Sequence, residues 1–157
     1  MMLRFRKMMA VLLAAALTLT MLTACGGGGS GASVDAKVKL TNDINSILPE
    51  GYPKVKYDKV LDEEAETFHG AYDINDKTTN EKLKRSCEWM TKVEINKNTS
   101  DEAKVVAESV KNCIGSTTSN DYDWSIGYYF KTKKDKDNKV TGKDIYVMLA
   151  WKEKTNK

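Results

Sequence analysis

The sequence predicts an α+β domain: a mostly antiparallel sheet of four to five strands with two helices packed on one face. Three observations carry this. Two runs near the C-terminus, Trp124 to Lys131 and Ile145 to Lys152, alternate apolar and polar side chains. Two other segments, Ser33 to Leu48 and Asn98 to Gly115, place apolar residues at spacings of three and four. The order along the chain is helix, two or three strands, helix, two strands, which suits helices gathered on one face of an antiparallel sheet.

In the first helix, Val34, Val38, Thr41, Ile44 and Leu48 form a stripe, and Pro49-Glu50-Gly51 ends it. Tyr52 to Glu63 is a weak strand with lysines between its apolar residues, as at a sheet edge. Glu66 to Ile74 reads as a strand, with Phe68, Gly70, Tyr72 and Ile74 on one side and His69 on the other. Residues 75–80 read as a polar loop. Residues 80–92 admit both a helix through Leu83, Cys87 and Met90 and a strand through Cys87, Trp89, Thr91, Val93 and Ile95. The β-branched residues favour a strand from Arg85 to Asn96 after a helical turn.

The second helix opens on Thr99-Ser100-Asp101-Glu102, a capping box, and Gly115 stands where a left-handed cap would fall. In the C-terminal hairpin, Phe130 opposite Ile145 sets Tyr128 with Val147, Ile126 with Leu149 and Trp124 with Trp151. The other face then pairs Tyr129 with Tyr146 and Lys131 with Asp144. A slip by one residue would bury lysines and expose the tryptophans. Thr132 to Lys143 becomes the charged tip.

The first 24 residues stand apart. Arg4, Arg6 and Lys7 precede an uncharged stretch from Met8 to Ala24, the pattern of a secretory leader. Leu22-Thr23-Ala24-Cys25 follows, and this tetrapeptide resembles the lipobox of bacterial lipoproteins. The resemblance covers the leader and these four residues, and it implies cleavage before Cys25, diacylation of its thiol and retention at the extracytoplasmic face of the cell membrane. Gly26 to Gly29 and the small residues after it suit a flexible tether. The expected organisation is a signal peptide at 1–24, a tether at 25–33 beginning with lipidated Cys25, and a single domain at 34–157.

Removing the leader takes three of the 25 basic residues and none of the 22 acidic ones, so the mature chain balances. No basic excess remains for a nucleic-acid footprint. Cys87 and Cys113 could form a disulfide outside the membrane, or stand as two small reduced side chains.

No motif points to a metal or cofactor. His69 is the chain's one histidine and has no ligand cluster around it in sequence. Asp135-Lys136-Asp137-Asn138-Lys139-Val140 opens like a calcium loop, but Lys139, Val140 and Tyr146 stand where an acid or amide, a glycine and a glutamate are needed. Glu63-Glu64, or Asp121 with Asp123, could in principle serve a small extracytoplasmic hydrolase. That hydrolase is the alternative; the leading reading is a non-enzymatic binding or accessory module. If the helices cover the face of Trp124 and Tyr128, then Tyr129, Tyr146 and Met148 lie together on the other. Exposed, that face would suit cell-wall glycan, a peptide or another envelope protein; covered by the N-terminal segments, it would be core.

Overall fold

A computed structural model describes residues 32–115 and 120–155. The leader, Cys25 and nearly all of the tether lie outside them. Helix α1 spans Val34–Ile47, capped by the Ser33 hydroxyl, which accepts from the Ala36 N–H at 3.2 Å. It stops before Pro49, which disfavours helical backbone at Leu48. Its core-facing residues are Lys37, Leu40, Thr41, Ile44 and Leu48, so the stripe is rotated from the expected one, and Val34 and Val38 face outward.

The expected strand from Tyr52 to Glu63 shrinks to β1, Val55–Tyr57. Asp58 then caps helix α2, Lys59–Ile74, accepting from the Val60 N–H at 2.9 Å. The strand expected at Glu66 to Ile74 is therefore helix. Leu61, Ala65, Phe68 and Tyr72 pack as one helical stripe. Period four coincides with every second step of a period-two pattern, whereas Gly70 and Ile74, the residues that only a strand would bury, are exposed. The expected loop at 75–80 is also helix: α3, Asp76–Leu83, begins on Asn75, whose side chain accepts from Thr78 N–H at 3.0 Å. A 3₁₀ turn, Lys84–Ser86, and a left-handed, exposed Cys87 (φ 58°) lead into strand β2, Glu88–Asn96, which ends where expected but starts three residues after Arg85 and leaves Cys87 outside it.

Helix α4 is Glu102–Gly115. Its cap is Asp101, accepting from the Lys104 N–H at 3.0 Å, while the Thr99 hydroxyl turns back to Asn96. The expected capping box is not formed, and the carboxylate of Glu102 pairs with Lys143 instead. Gly115 lacks the expected left-handed backbone; Gly51 has it (φ 88°).

Strands β3, Tyr122–Lys134, and β4, Val140–Glu153, form the hairpin in the expected register, from Trp124–Trp151 to Lys131–Asp144. They pair beyond the expected limit, and the turn is only Asp135 to Lys139. The sheet order is β1-β3-β4-β2, antiparallel except for β1, which runs parallel to β3. The sheet is thus four-stranded and mixed.

Helices α1 and α4 cover one face, over Val93, Ile126, Tyr128, Ile145, Val147 and Leu149. The opposite face is not open. Leu61 and Ala65 of α2 and Leu83 of α3 pack there on Met90, Tyr129, Tyr146 and Met148. The expectation of two helices on one face holds for that face alone, and the domain has helix layers on both sides of the sheet.

Candidate functional site

Tyr129, Tyr146 and Met148 come together as expected, but at 9 %, 0 % and 0 % exposure they are interior and offer no binding surface. The overturned strand at Glu66 to Ile74 is the cause, since that segment is the helix lying across them. His69, on α2, sits with its ring centroid 4.5 Å from that of Tyr129 and 5.3 Å from that of Tyr146. Its Nδ1 lies 2.6 Å from the Glu66 carbonyl, which can only accept, so the ring N–H is the donor.

At the edge of this aromatic cluster the Tyr146 hydroxyl donates to Asp73 at 2.7 Å, and Lys92 donates to the other Asp73 oxygen at 2.8 Å. Burial works to raise the Asp73 carboxyl, but the Lys92 and Tyr146 bonds and the Lys92 charge outweigh it and hold it below the usual range. Burial, and then the bond to Asp73, push the Tyr146 phenol up.

The other sequence candidates separate. Glu63 is exposed, as are Asp121 and Asp123. Half-buried Glu64 faces Glu88 rather than Glu63, and burial followed by the Glu64 charge raises the Glu88 carboxyl. Cys87 and Cys113 are both free thiols, the reduced one of the two alternatives that the sequence left open. Cys87 is exposed, while Cys113 is half-buried beside Trp89, and burial pushes its thiol up to about 11.

The most concentrated constellation is one that the sequence reading missed. Strand β1 is only three residues long, so beyond Tyr57 the edge of β3 has no neighbouring strand. Asp62 of α2 fills that place. Its Oδ1 accepts from the Tyr128 backbone N–H at 2.7 Å, and its Oδ2 accepts from Lys37 Nζ at 2.7 Å and the Tyr57 hydroxyl at 2.6 Å. The Lys37 side chain is 3 % exposed and that of Asp62 9 %. Thr41 joins the Tyr128 hydroxyl at 2.8 Å and also donates to the Lys37 carbonyl at 2.9 Å. Burial, then the bond to Asp62, raise the Tyr57 phenol; burial raises that of Tyr128.

A buried ion pair persists only when its remaining polar positions are satisfied, and here both carboxylate oxygens are engaged by protein donors. The arrangement clamps α1 and α2 onto the sheet edge from opposite faces. One signal was present in the sequence: Lys37 precedes Thr41 and Ile44 at spacings of four and three, a charge within the buried stripe.

A side-chain amide also caps one residue on each outer strand. Asn45 donates to the Val55 carbonyl at 2.8 Å and accepts from the Val55 N–H at 2.9 Å, as a neighbouring strand would. Asn80 does the same for Met90 at the far edge, at 3.0 and 2.9 Å. Such plugs discourage the pairing of further strands.

A small cavity of about 90 Å³ lies among Tyr52, Pro53, Ile114 and Asn120, below the size of a typical ligand cleft. Among the described residues no group of three or more His, Cys, Asp or Glu could hold a metal ion, and no helix is long and apolar enough to cross a membrane. Comparison with known proteins gives no match to a family model, to a curated protein or to a solved structure.

Proposed function

We propose that this chain is an extracytoplasmic lipoprotein, cut before Cys25, diacylated on that residue, and serving as a non-enzymatic binding or accessory module of the cell envelope. The carrying observation is the basic-then-apolar leader ending in Leu22-Thr23-Ala24-Cys25, with the first helix beginning only nine residues after the cysteine. Two acyl chains give stable retention without a spanning helix. Because helices cover both sheet faces, contacts with glycan, peptide or an envelope protein fall to the helix exteriors and the hairpin turn. The buried Lys37–Asp62 clamp serves to hold those surfaces in place.

The test is metabolic labelling with a palmitate analogue in a bacterial host, followed by intact-mass measurement. The mature chain is expected to begin at Cys25 and to carry the acyl mass, and Cys25→Ala is expected to lose both. Label retained by Cys25→Ala, or a mature terminus elsewhere, would overturn the assignment. Cross-linking of the acylated chain in its own envelope then identifies the partner.

A further inference from the structure

The end of the domain where the tether enters has a distinct surface. Lys37, in the first turn of α1, lies 5.9 Å from the ring centroid of Phe130; Lys143 stands over the same ring at 5.1 Å and pairs with Glu102, the first residue of α4. On the other sheet face, Asp73 at the end of α2 pairs with Lys131 at 3.5 Å. The starts of α1 and α4, the end of α2 and the hairpin turn therefore share one end of the molecule.

Five of the seven large apolar side chains exposed among the described residues are at this end: Val34, Val38, Ile74, Val105 and Val140. Ile74 is 87 % exposed. Lys134, Lys136 and Lys139 surround the hairpin turn, exposed and without a salt bridge among the described residues, beside exposed Asp137 and Asp135, whose carboxylate accepts the turn's own Asp137 and Lys139 N–H groups. Aliphatic side chains interleaved with long cationic ones suit the boundary between lipid headgroups and acyl chains, where the alkyl groups enter and the ammonium groups reach the phosphates.

Covalent geometry bears on the orientation. Nine Cα-to-Cα steps lead from Cys25 to Val34, so the start of α1 lies within about 32 Å of the acylated residue whatever path the linker takes. Lys37, in the first turn of α1, stands beside Phe130, about 26 Å along β3 from Tyr122 at about 3.3 Å per residue. The near end reaches the bilayer easily, and the far end only with the linker near full stretch.

We propose that this end rests on the anionic lipid surface into which Cys25 is anchored, with the five aliphatic side chains at the headgroup level and the three turn lysines on lipid phosphates. The proposal deepens the reading of Cys25 as acylated and rests on it. The experiment inserts the acylated chain into preformed phosphatidylglycerol or phosphatidylcholine vesicles and reads lysine acetylation residue by residue by mass spectrometry. On phosphatidylglycerol, labelling of Lys134, Lys136 and Lys139 is expected to fall roughly five-fold, as a neutral surface attracts them less. Lys59 and Lys152, away from this end, are expected to stay unchanged. Ile74→Asp combined with Val140→Asp alters two exposed positions and is expected to restore labelling with no change in thermal unfolding. Equal labelling on both lipids, or protection that the double variant keeps, overturns the proposal. Protection that develops with concentration in the absence of vesicles assigns the surface to a second copy of the chain and also overturns it. A chain without acyl mass before insertion fails the reading of Cys25 separately, and the proposal falls with it.

Discussion

Replacing Asp62 by asparagine is the sharpest test of how the domain is held together. The substitution preserves shape and leaves an oxygen for the Tyr128 N–H, but it removes the charge that neutralises Lys37, whose side chain is 3 % exposed. Breaking a buried pair from one side costs about 3 to 5 kcal/mol, because the surviving charge stays desolvated. The Tyr57 hydroxyl must also find another acceptor. Against a total stability of about 5 to 15 kcal/mol, this is a large share. At roughly 4 °C per kcal/mol for a domain of this size, the melting temperature is expected to fall by about 12 to 20 °C. Urea unfolding followed by tryptophan fluorescence reads the loss, Trp124 being 2 % exposed in the folded state. Adding Lys37→Met removes the stranded ammonium, and the double variant is expected to regain more than about 1 kcal/mol over Asp62→Asn alone. A single-variant loss under about 1 kcal/mol, the value of an exposed pair, would refute the reasoning. So would a double variant no more stable than the single one.

Gly127→Ala is expected to cost at least about 1 to 3 kcal/mol, since the new Cβ would lie 2.5 Å from the Leu61 backbone and 2.6 Å from the Asp62 nitrogen; an unchanged urea midpoint would show that α2 can move away from the strand. Iodoacetamide at pH 8 is expected to modify exposed Cys87 quickly and Cys113, with its thiol pushed up to about 11, only after denaturation. Equal rates at the two cysteines contradict this, and a chain two hydrogens lighter that resists labelling until reduced would reveal a bridge. Tyr57, Tyr128 and Tyr146 all have raised folded-state pKa values, so above about pH 10 the unfolded chain loses protons that the folded one keeps. Stability is therefore complete below that pH and falls as pH rises through it; urea midpoints between pH 9 and 11 are expected to drop, less steeply in Tyr57→Phe. At the acid end Asp73, held low, contributes stability above about pH 4 that is lost on acidification, and Asp73→Asn is expected to flatten that limb.

Local pattern was enough for the elements whose partner is nearby in sequence. The hairpin register followed from period-two alternation on both strands, because a slip by one residue exchanges the lysine and tryptophan faces. Helix α4 followed from its apolar spacing, although the cap moved from Thr99 to Asp101, a choice among adjacent oxygens that only the turn geometry makes. The proposed leader and acylation of Cys25 likewise rest on local pattern alone, since such a signal would act before any fold exists. Tertiary structure decided the remainder. Residues 66–74 carry a pattern compatible with strand or helix, and the far side of the sheet resolved it: Tyr129, Tyr146 and Met148 needed a cover that the stripe of Leu61, Ala65, Phe68 and Tyr72 supplies. Their burial then removed the binding face that an open sheet would have offered. The Lys37–Asp62 clamp joins residues 25 positions apart around an edge that exists only because β1 stops at Tyr57, so the two charges were visible in the chain but their meeting was not. Desolvation and pairing depend on which surfaces come together, and a one-dimensional pattern holds that information only where the partner is a neighbour along the chain.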